Sequence, residues 1–450
     1  MHEIDQTSEQ LLRSLFAYAE NRLRMDPVPL DRGLLTSSEM YTRLAGLIGE
    51  RGRPPDEVLG LYASVIAPSV ISADSPRFLG FIPAAPTKAS LLFDMVVSCA
   101  SIQGISWLEA SGAIAAENSV LRVIADEAGL PPQAGGCFVS GGSAGNLSAL
   151  AVARETAKKR LGTSGRLRAV VGSDAHSSIR NTLRLLEMDA LEVPTPDHRL
   201  TAEAITAALA ATSDTSDIAV VVCTSGTTNA GIIDDLAGVG ELAEREGWWF
   251  HVDGAYGGSG IFAPSVRAKY NGIERCDSFI LDPHKWLFAP FDCCALLYRD
   301  PALARATHTQ DASYLDVIHT AEGEWNPTDY AYHLTRRARG LPLWFSMAVH
   351  GLQAYRDAIE VALTLARETA VLIKATPHLE LIREPDLGVV LFRRLGWKAG
   401  DYDAWAEALH RDEVAFVPPS KWEGETIGRL AFLHPHTSME LVSEVLARTE

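Results

Sequence analysis

The sequence predicts an α/β protein: a mostly parallel sheet covered by helices on both faces, preceded by a helical segment and followed by a small α+β domain. Three observations predict it. From Gly136 onward, short apolar runs alternate with helical stretches, the pattern of strand–helix–strand units in a parallel sheet. The last runs of that region, Phe279–Leu281 and Cys293–Tyr298, leave no room for full helices, so the sheet is expected to be mixed at one side. After Gly340 comes one long helix, then a short mixture of strands and helices. At 450 residues the chain exceeds the usual single-domain size, so a large domain with smaller pieces is expected.

Three parts are expected: 1–74, 75–339 and 340–450. In the first, Leu11, Leu12, Leu15, Phe16 and Leu23 recur at helical spacing, and further helices are expected at Ser37–Glu50 and Pro55–Ile66. Such apolar-faced helices pack on their own core or on a partner subunit. The second part opens with the aromatic stretch Ser75–Pro83, then helices at Lys88–Ala100 and Ala113–Ala128. Strands are expected at Cys137–Val139, Leu167–Val171, Ile218–Cys223 and Trp248–Val252, with helices at Ala144–Arg160, Ser178–Leu186 and Asp235–Glu246. The stretch 307–335 has no clean period and mixes Asp, Thr, Gly, Tyr and Trp, as a lid or binding segment does. The third part is expected to hold a helix to Ala375, strands at Leu379–Arg383, Val389–Arg393 and Gly428–Leu433, and helices at Tyr402–Arg411 and Ser438–Thr449.

Composition narrows the partners. A net charge of −17 argues against nucleic acid and anionic membranes, which need a basic face. No signal peptide is expected at the N-terminus, and no apolar run is long enough for a membrane span. The six cysteines form no CxxC pair and lie mostly in apolar runs, so they are expected to be buried free thiols in a reducing cytoplasm.

Four turns carry polar residues at expected strand ends. Ser140-Gly141-Gly142-Ser143-Ala144-Gly145 links a strand to a helix; its glycines allow close backbone approach, and the helix start offers free N–H groups to an anion. It is neither a P-loop nor a dinucleotide fingerprint nor a nucleophile elbow. Thr224–Asn229 follows a buried strand and could add hydroxyls to the same anion. Asp253 ends the strand Trp248–Val252, where ligands bind in open α/β sheets, and a pyridinium N–H would suit it. His176 follows another strand and could stack on a planar ring. Lys285 follows Ser278–Leu281 and is a candidate Schiff-base former. Each feature alone has an ordinary structural reading. Together, an anion cradle, a carboxylate for a ring nitrogen, a ring-stacking histidine and a reactive lysine describe a pyridoxal 5'-phosphate site.

The motifs Asp282-Pro283-His284-Lys285-Trp286, His251-Val252-Asp253-Gly254-Ala255-Tyr256 and Ser173-Asp174-Ala175-His176-Ser177-Ser178, with the Asp253-to-Lys285 spacing, resemble the group II pyridoxal phosphate-dependent amino-acid decarboxylases. The resemblance runs from Ser75 to Gly340. It implies fold type I, an aspartate aminotransferase-like large domain with a seven-stranded sheet, and a homodimer with its site at the interface. Residue by residue, it implies Lys285 as Schiff-base lysine, Asp253 as partner of the pyridine nitrogen and His176 as the stacked histidine. Ser143, Ala144 and Thr228 match phosphate-binding positions, with His284 beside them. Tyr314 matches a tyrosine on a mobile catalytic loop that returns a proton after carbon dioxide leaves; relatives with Phe there resemble aldehyde synthases. One residue departs from the pattern: Asp282 stands where the family usually has Asn. A carboxylate facing phosphate is unfavourable, so Asp282 must point elsewhere or pair with a cation.

The resemblance implies decarboxylation of an L-amino acid with an aromatic or other apolar side chain, because Phe81, Ile82 and Pro83 resemble the apolar pocket of the aromatic enzymes. Glutamate decarboxylases carry a polar glutamine near Phe81. Ile105 resembles a pocket residue that reaches the partner subunit's site, whereas Gln103 is polar where the aromatic enzymes are apolar. Two other readings stay open: a lyase or decarboxylation-dependent aldehyde synthase on the same scaffold, and a homologue without catalysis.

Overall fold

The computed structural model describes residues 2–31, 35–82, 84–310, 313, 318 and 324–450. Three helices lead the chain: α1 (Gln6–Arg24), α2 (Ser37–Leu44) and α3 (Pro55–Leu61). Asp5 caps α1, and Thr36 and Glu39 form a capping box on α2, satisfying N–H groups that a helix start leaves open. None of the three has a buried residue. Leu12, Leu15, Phe16 and Tyr41 face solvent. The second helix stops at Leu44, short of the expected Glu50, because Gly46 turns left-handed at φ 69.

Helices α4 (Lys88–Ala100) and α5 (Trp107–Glu127) lead into the main sheet. Its strands are β1 (Gly135–Val139), β2 (Arg168–Gly172), β3 (Asp189–Val193), β4 (Ile218–Thr224), β5 (Trp249–Asp253), β6 (Ser278–Leu281) and β7 (Cys294–Tyr298). Among the described residues the order is β1-β7-β6-β5-β4-β2-β3. The strands from β3 to β6 run parallel, whereas β7 is antiparallel to both β6 and β1. The chain from β6 to β7 holds only the short helix α10 (Pro283–Trp286), too little for a parallel crossover, so the mixed edge follows as expected. Helices α6 (Gly142–Leu161), α7 (Ser177–Leu185), α8 (Ala202–Ala210), α9 (Leu236–Glu246) and α11 (Pro301–His308) complete this region.

Strand alternation explains the core. Val220 and Val222 of β4 face one apolar cluster, whereas Val221 and Cys223 face another across the sheet. In β5, Trp249 packs on the first side, and Phe250 and Val252 on the second. His251 and Asp253 share the parity of Trp249, so they point toward α6. Two elements at the β3 edge of this sheet escaped sequence reading. β3 has the sequence Asp-Ala-Leu-Glu-Val and is largely exposed, so it lacks a continuous apolar run, and α8 follows it.

The long helix α12 (Leu341–Ala375) is broken at Gly351, where φ is 73. Its first part packs on α4 and α5, and it continues onto a second sheet. That sheet is antiparallel, in the order β10 (Ser420–Trp422), β11 (Glu425–Ala431), β9 (Val389–Arg394), β8 (Leu379–Leu381). It is accompanied by α13 (Ala399–Arg411) and α14 (Met439–Ala447). The Ser75–Pro83 stretch joins this sheet: Leu79 N–H donates to the Phe416 carbonyl and the Leu79 carbonyl accepts from Ala431 N–H, both at 2.9 Å. Among the described residues no helix is long and apolar enough to cross a membrane. All six cysteines are free, and only Cys99 is exposed.

Candidate active site

A cavity of about 310 Å³ opens at the carboxyl ends of the main-sheet strands. Ser143, Ala144, His176, Thr228, Asp253, His284 and Lys285 all line it. These side chains come from five separate strand-to-helix turns, and the parallel sheet brings their ends together.

One wall is the start of α6. Gly141 at its N-cap makes no side-chain hydrogen bond, so the first N–H groups of a twenty-residue helix face the cavity uncapped. Gly142 leaves little room for a side chain: a Cβ there would come 3.0 Å from Ala255 Cβ and 3.2 Å from Asp282 Oδ2. The turn after β4 forms the adjoining wall. Gly226 holds φ 114 with Gly257 so close that a Cβ would lie 2.7 Å from its Cα. Arg429 of β11, itself buried, clamps this turn by donating to the carbonyls of Thr228 (2.6 Å) and Asn229 (3.0 Å). Burial pushes the Arg429 guanidinium down to about 10, which leaves it charged at neutral pH.

Asp253 sits in a polar chain whose protons can all be assigned. Its Oδ2 accepts from Asn146 Nδ2 at 2.9 Å, and its Oδ1 from Ala255 N–H at 3.1 Å. An ionised carboxylate only accepts, so the Asn146 amide must turn its nitrogen toward it. The Asn146 Oδ1 therefore accepts from His251 Nε2–H at 2.8 Å. His251 Nδ1 then accepts from the Ser278 hydroxyl (2.8 Å), which itself accepts from Trp249 Nε1–H (2.8 Å). This makes His251 neutral, in agreement with burial holding it well below the usual imidazole range against the pull of Asp253. On the other side, Asn146 Nδ2 also donates to Ser178 Oγ at 3.1 Å. The Ser178 hydroxyl and N–H both reach His176 Nδ1, at 2.9 and 3.2 Å. His176 is thereby the N-cap of α7, with Nδ1 as acceptor. One buried amide thus couples the carboxylate to the histidine.

Lys285 stands on α10. Its Nζ lies 2.9 Å from Asp282 Oδ2, and His284 Nε2 is 3.6 Å from the same oxygen. The pairing expected for Asp282 is therefore with Lys285. Burial lowers the Lys285 pKa, but the Asp282 charge and hydrogen bond, with Asp253 behind them, carry it above the ordinary lysine value. His284 Nδ1 accepts from Cys293 N–H at 3.1 Å, and burial lowers its pKa.

The other expected residues lie elsewhere. Phe81 is 63% exposed, lies tilted against the rings of Phe78 and Phe416, and is not among the residues lining the cavity. Half-buried Ile105 is not among them either. Pro83 and Tyr314 lie outside the described residues, as does most of 311–323. Asn146, His251, Ser178 and Arg429 were missed by sequence reading. Arg429 carried a signal: it is a lone charge in the apolar run Ile427–Leu433, which at a buried position demands a partner.

The cavity offers N–H groups to an anion, a carboxylate to a cationic N–H, and an amine. A larger cavity of about 550 Å³ includes Arg160, Arg275 and Arg299 in its lining. Their guanidiniums are bound to carbonyls or to Glu244. Among the described residues no cluster of His, Cys, Asp or Glu could hold a metal ion.

The pyridoxal-dependent decarboxylase conserved domain matches residues 46–395. An aromatic-L-amino-acid decarboxylase of Bacillus atrophaeus is 29% identical over 444 residues, covering 95% of this chain and 91% of that protein. A phenylacetaldehyde synthase of Arabidopsis thaliana is 29% identical, covering 86% of this chain and 84% of its own length. A crystal structure of Oryza sativa TDC with PLP and tryptamine superposes with a TM-score of 0.91 at 23% identity, covering 100% of this chain and 99% of that one. These findings and the geometry agree: the chain belongs to the pyridoxal-dependent decarboxylase family, with pyridoxal phosphate as its cofactor.

Proposed function

We propose that this decarboxylase converts an L-amino acid with an aromatic or other apolar side chain to its amine and carbon dioxide. The observation that carries the reading is the grouping of Lys285, Asp253 and the uncapped α6 terminus around one cavity. The cofactor, when bound, supplies an aldehyde carbon for an amine and a ring that takes up the electron pair left by departing carbon dioxide. The chain does the rest. Lys285 is the amine that anchors the aldehyde. Asp253 holds a proton at the ring nitrogen, and Asn146 aims that carboxylate. N–H groups of α6 with Ser143, Ala144, Thr228 and His284 hold the phosphate, and His176 stacks on the ring. Tyr314 returns a proton to the substrate Cα.

Substrate class rests on Phe81 and Ile105, with Pro83 beside them in sequence. The exposed Phe81 ring supports a pocket completed by a second copy of the chain, because it presents apolar surface away from its own chain's cavity. The bare apolar side chains of α1 and α2 likewise support a homodimer. We take the chain as three parts, 1–74, 75–339 and 340–450. The six free cysteines suit a cytoplasmic protein.

Purified protein given pyridoxal phosphate should gain a visible absorption band that Lys285→Ala removes. Among the twenty amino acids, aromatic ones should release carbon dioxide and amine in equal amounts. Release from glutamate alone would overturn the substrate class. The Arabidopsis relative makes the aldehyde outcome worth measuring: aldehyde with hydrogen peroxide from the unaltered protein would overturn the amine product. Tyr314→Phe is expected to shift the product toward aldehyde.

A further inference from the structure

Asp282 is a buried charge in the cavity that holding the cofactor does not explain. The residue is 1% exposed and immediately precedes the short helix that carries Lys285. Its Oδ2 contacts Lys285 Nζ at 2.9 Å, whereas Oδ1 has no hydrogen-bond partner among the described residues. A Cβ on Gly142 would lie 3.2 Å from Oδ2 and 3.5 Å from Oδ1, so the carboxylate also abuts the start of α6. A buried carboxylate beside a phosphate subsite is costly twice, in lost hydration and in like-charge repulsion. Lys285 is the cation close enough to offset either cost.

We propose that Asp282 is a positioning residue that acts through Lys285: it holds the uncombined lysine as an ammonium aimed into the cavity, and so sets the pH at which that amine becomes reactive toward an aldehyde. This rests on the reading of Lys285 as the anchoring amine. The ammonium first loses a proton. The freed nitrogen pair bonds to the aldehyde carbon, whose oxygen leaves as water. Taken together, an ammonium and an aldehyde give a protonated C=N group and one water, with no net change in protons or electrons. The carboxylate therefore faces one positive charge before and after. The reactive amine exists only above the lysine's pKa, and Asp282 keeps that point high although burial works to lower it. Other titratable groups around the pair are His284 on its own turn, Asp253 at the end of β5, Cys293 and Cys294 at β7, Asp292 before them, His176 at α7 and Tyr256 after β5. Asp253 adds to the effect of Asp282. His284 is held neutral by burial.

The test uses cofactor-free protein, unaltered and as Asp282→Asn and Asp282→Ser, with two probes: pyridoxal, which has no phosphate, and pyridoxal 5'-phosphate. The rate of C=N formation is followed by absorbance from about pH 6 to about pH 10, a range below the ordinary lysine value of ~10.4. Borohydride trapping and peptide mass confirm capture at Lys285. Both variants should capture both probes at least about tenfold faster near neutral pH, the effect of removing an opposite charge within a few ångströms. Unchanged profiles would overturn the proposal. So would a gain confined to pyridoxal 5'-phosphate, which would mean that the carboxylate acts on the phosphate instead. In the unaltered protein, a rate that levels off well below the ordinary lysine value would overturn it without any variant. Absence of label on Lys285 in every protein would instead overturn the anchoring role.

Discussion

Asn146→Ala removes the amide on which the proposed site is centred. It strips three buried groups of a partner at once: His251 Nε2–H loses its acceptor, and Asp253 Oδ2 and Ser178 Oγ lose a donor. Ser178 keeps His176, and Asp253 keeps Ala255 N–H, so the full penalty falls on His251 and a partial one on Asp253. An unsatisfied buried donor costs about 1–3 kcal/mol, and a hydrogen bond to a charged group contributes about 1.5–3 kcal/mol. The sum is about 2.5–6 kcal/mol. With an unfolding entropy of about 2.1 cal/mol/K per residue, a chain of 450 residues should lose roughly 3–6 °C in melting temperature. The same loss frees the Asp253 carboxylate, so affinity for pyridoxal phosphate should fall about ten- to a hundredfold, the equivalent of 1.4 to 2.7 kcal/mol. Thermal melts of the cofactor-free protein and fluorescence titration with the cofactor measure the two effects separately. Asn146→Asp sharpens the argument, because it sets a second carboxylate against Asp253 and should draw a proton onto His251. A melting temperature and an affinity both unchanged in Asn146→Ala would refute the network.

Acid is expected to weaken the fold. Burial pushes His251, His333 and His434 down to about 4, below the ordinary 6.5, so the unfolded chain binds more protons between those values and stability falls with acidification. Asp234, pushed up to about 7 by burial, acts in the opposite sense over the same window. Three against one leaves a net loss of about 2.7 kcal/mol per pH unit below about 6.5, and Asp234→Asn should steepen the slope seen in melts from pH 7 to 5. Breaking the fully buried Arg336–Glu117 pair with Glu117→Leu should cost about 3–5 kcal/mol, because it leaves a buried guanidinium uncompensated; adding Arg336→Met should restore much of that in chemical denaturation. Arg429→Met should weaken binding of pyridoxal phosphate more than that of pyridoxal, because its carbonyl contacts hold the Thr228 turn.

Sequence legibility follows the range of the interaction concerned. Lys285, Asp253 and His176 each end a short strand signal, so a few neighbouring residues announce both the strand and the turn that exposes the side chain. Apolar runs such as β4 were legible because both faces of the strand are buried. β3 and β10 were not, since an edge or hairpin strand needs no continuous apolar run. Asn146 could not be read as a site residue, and Arg429 could be read only as a charge in need of a partner, because their partners lie 107 and 201 positions away and no local pattern names them. Asp282 falls between these cases. Electrostatics alone required a carboxylate at that turn to point elsewhere or to pair with a cation, and Lys285, three residues on in the short helix that Asp282 precedes, lies within reach. What sequence could not supply was the burial, and burial changes the meaning of the pair. On an exposed helix it would contribute well under 1 kcal/mol. At the floor of the cavity it decides whether the amine is charged, and the pH dependence of Lys285 capture is the quantity that reports it.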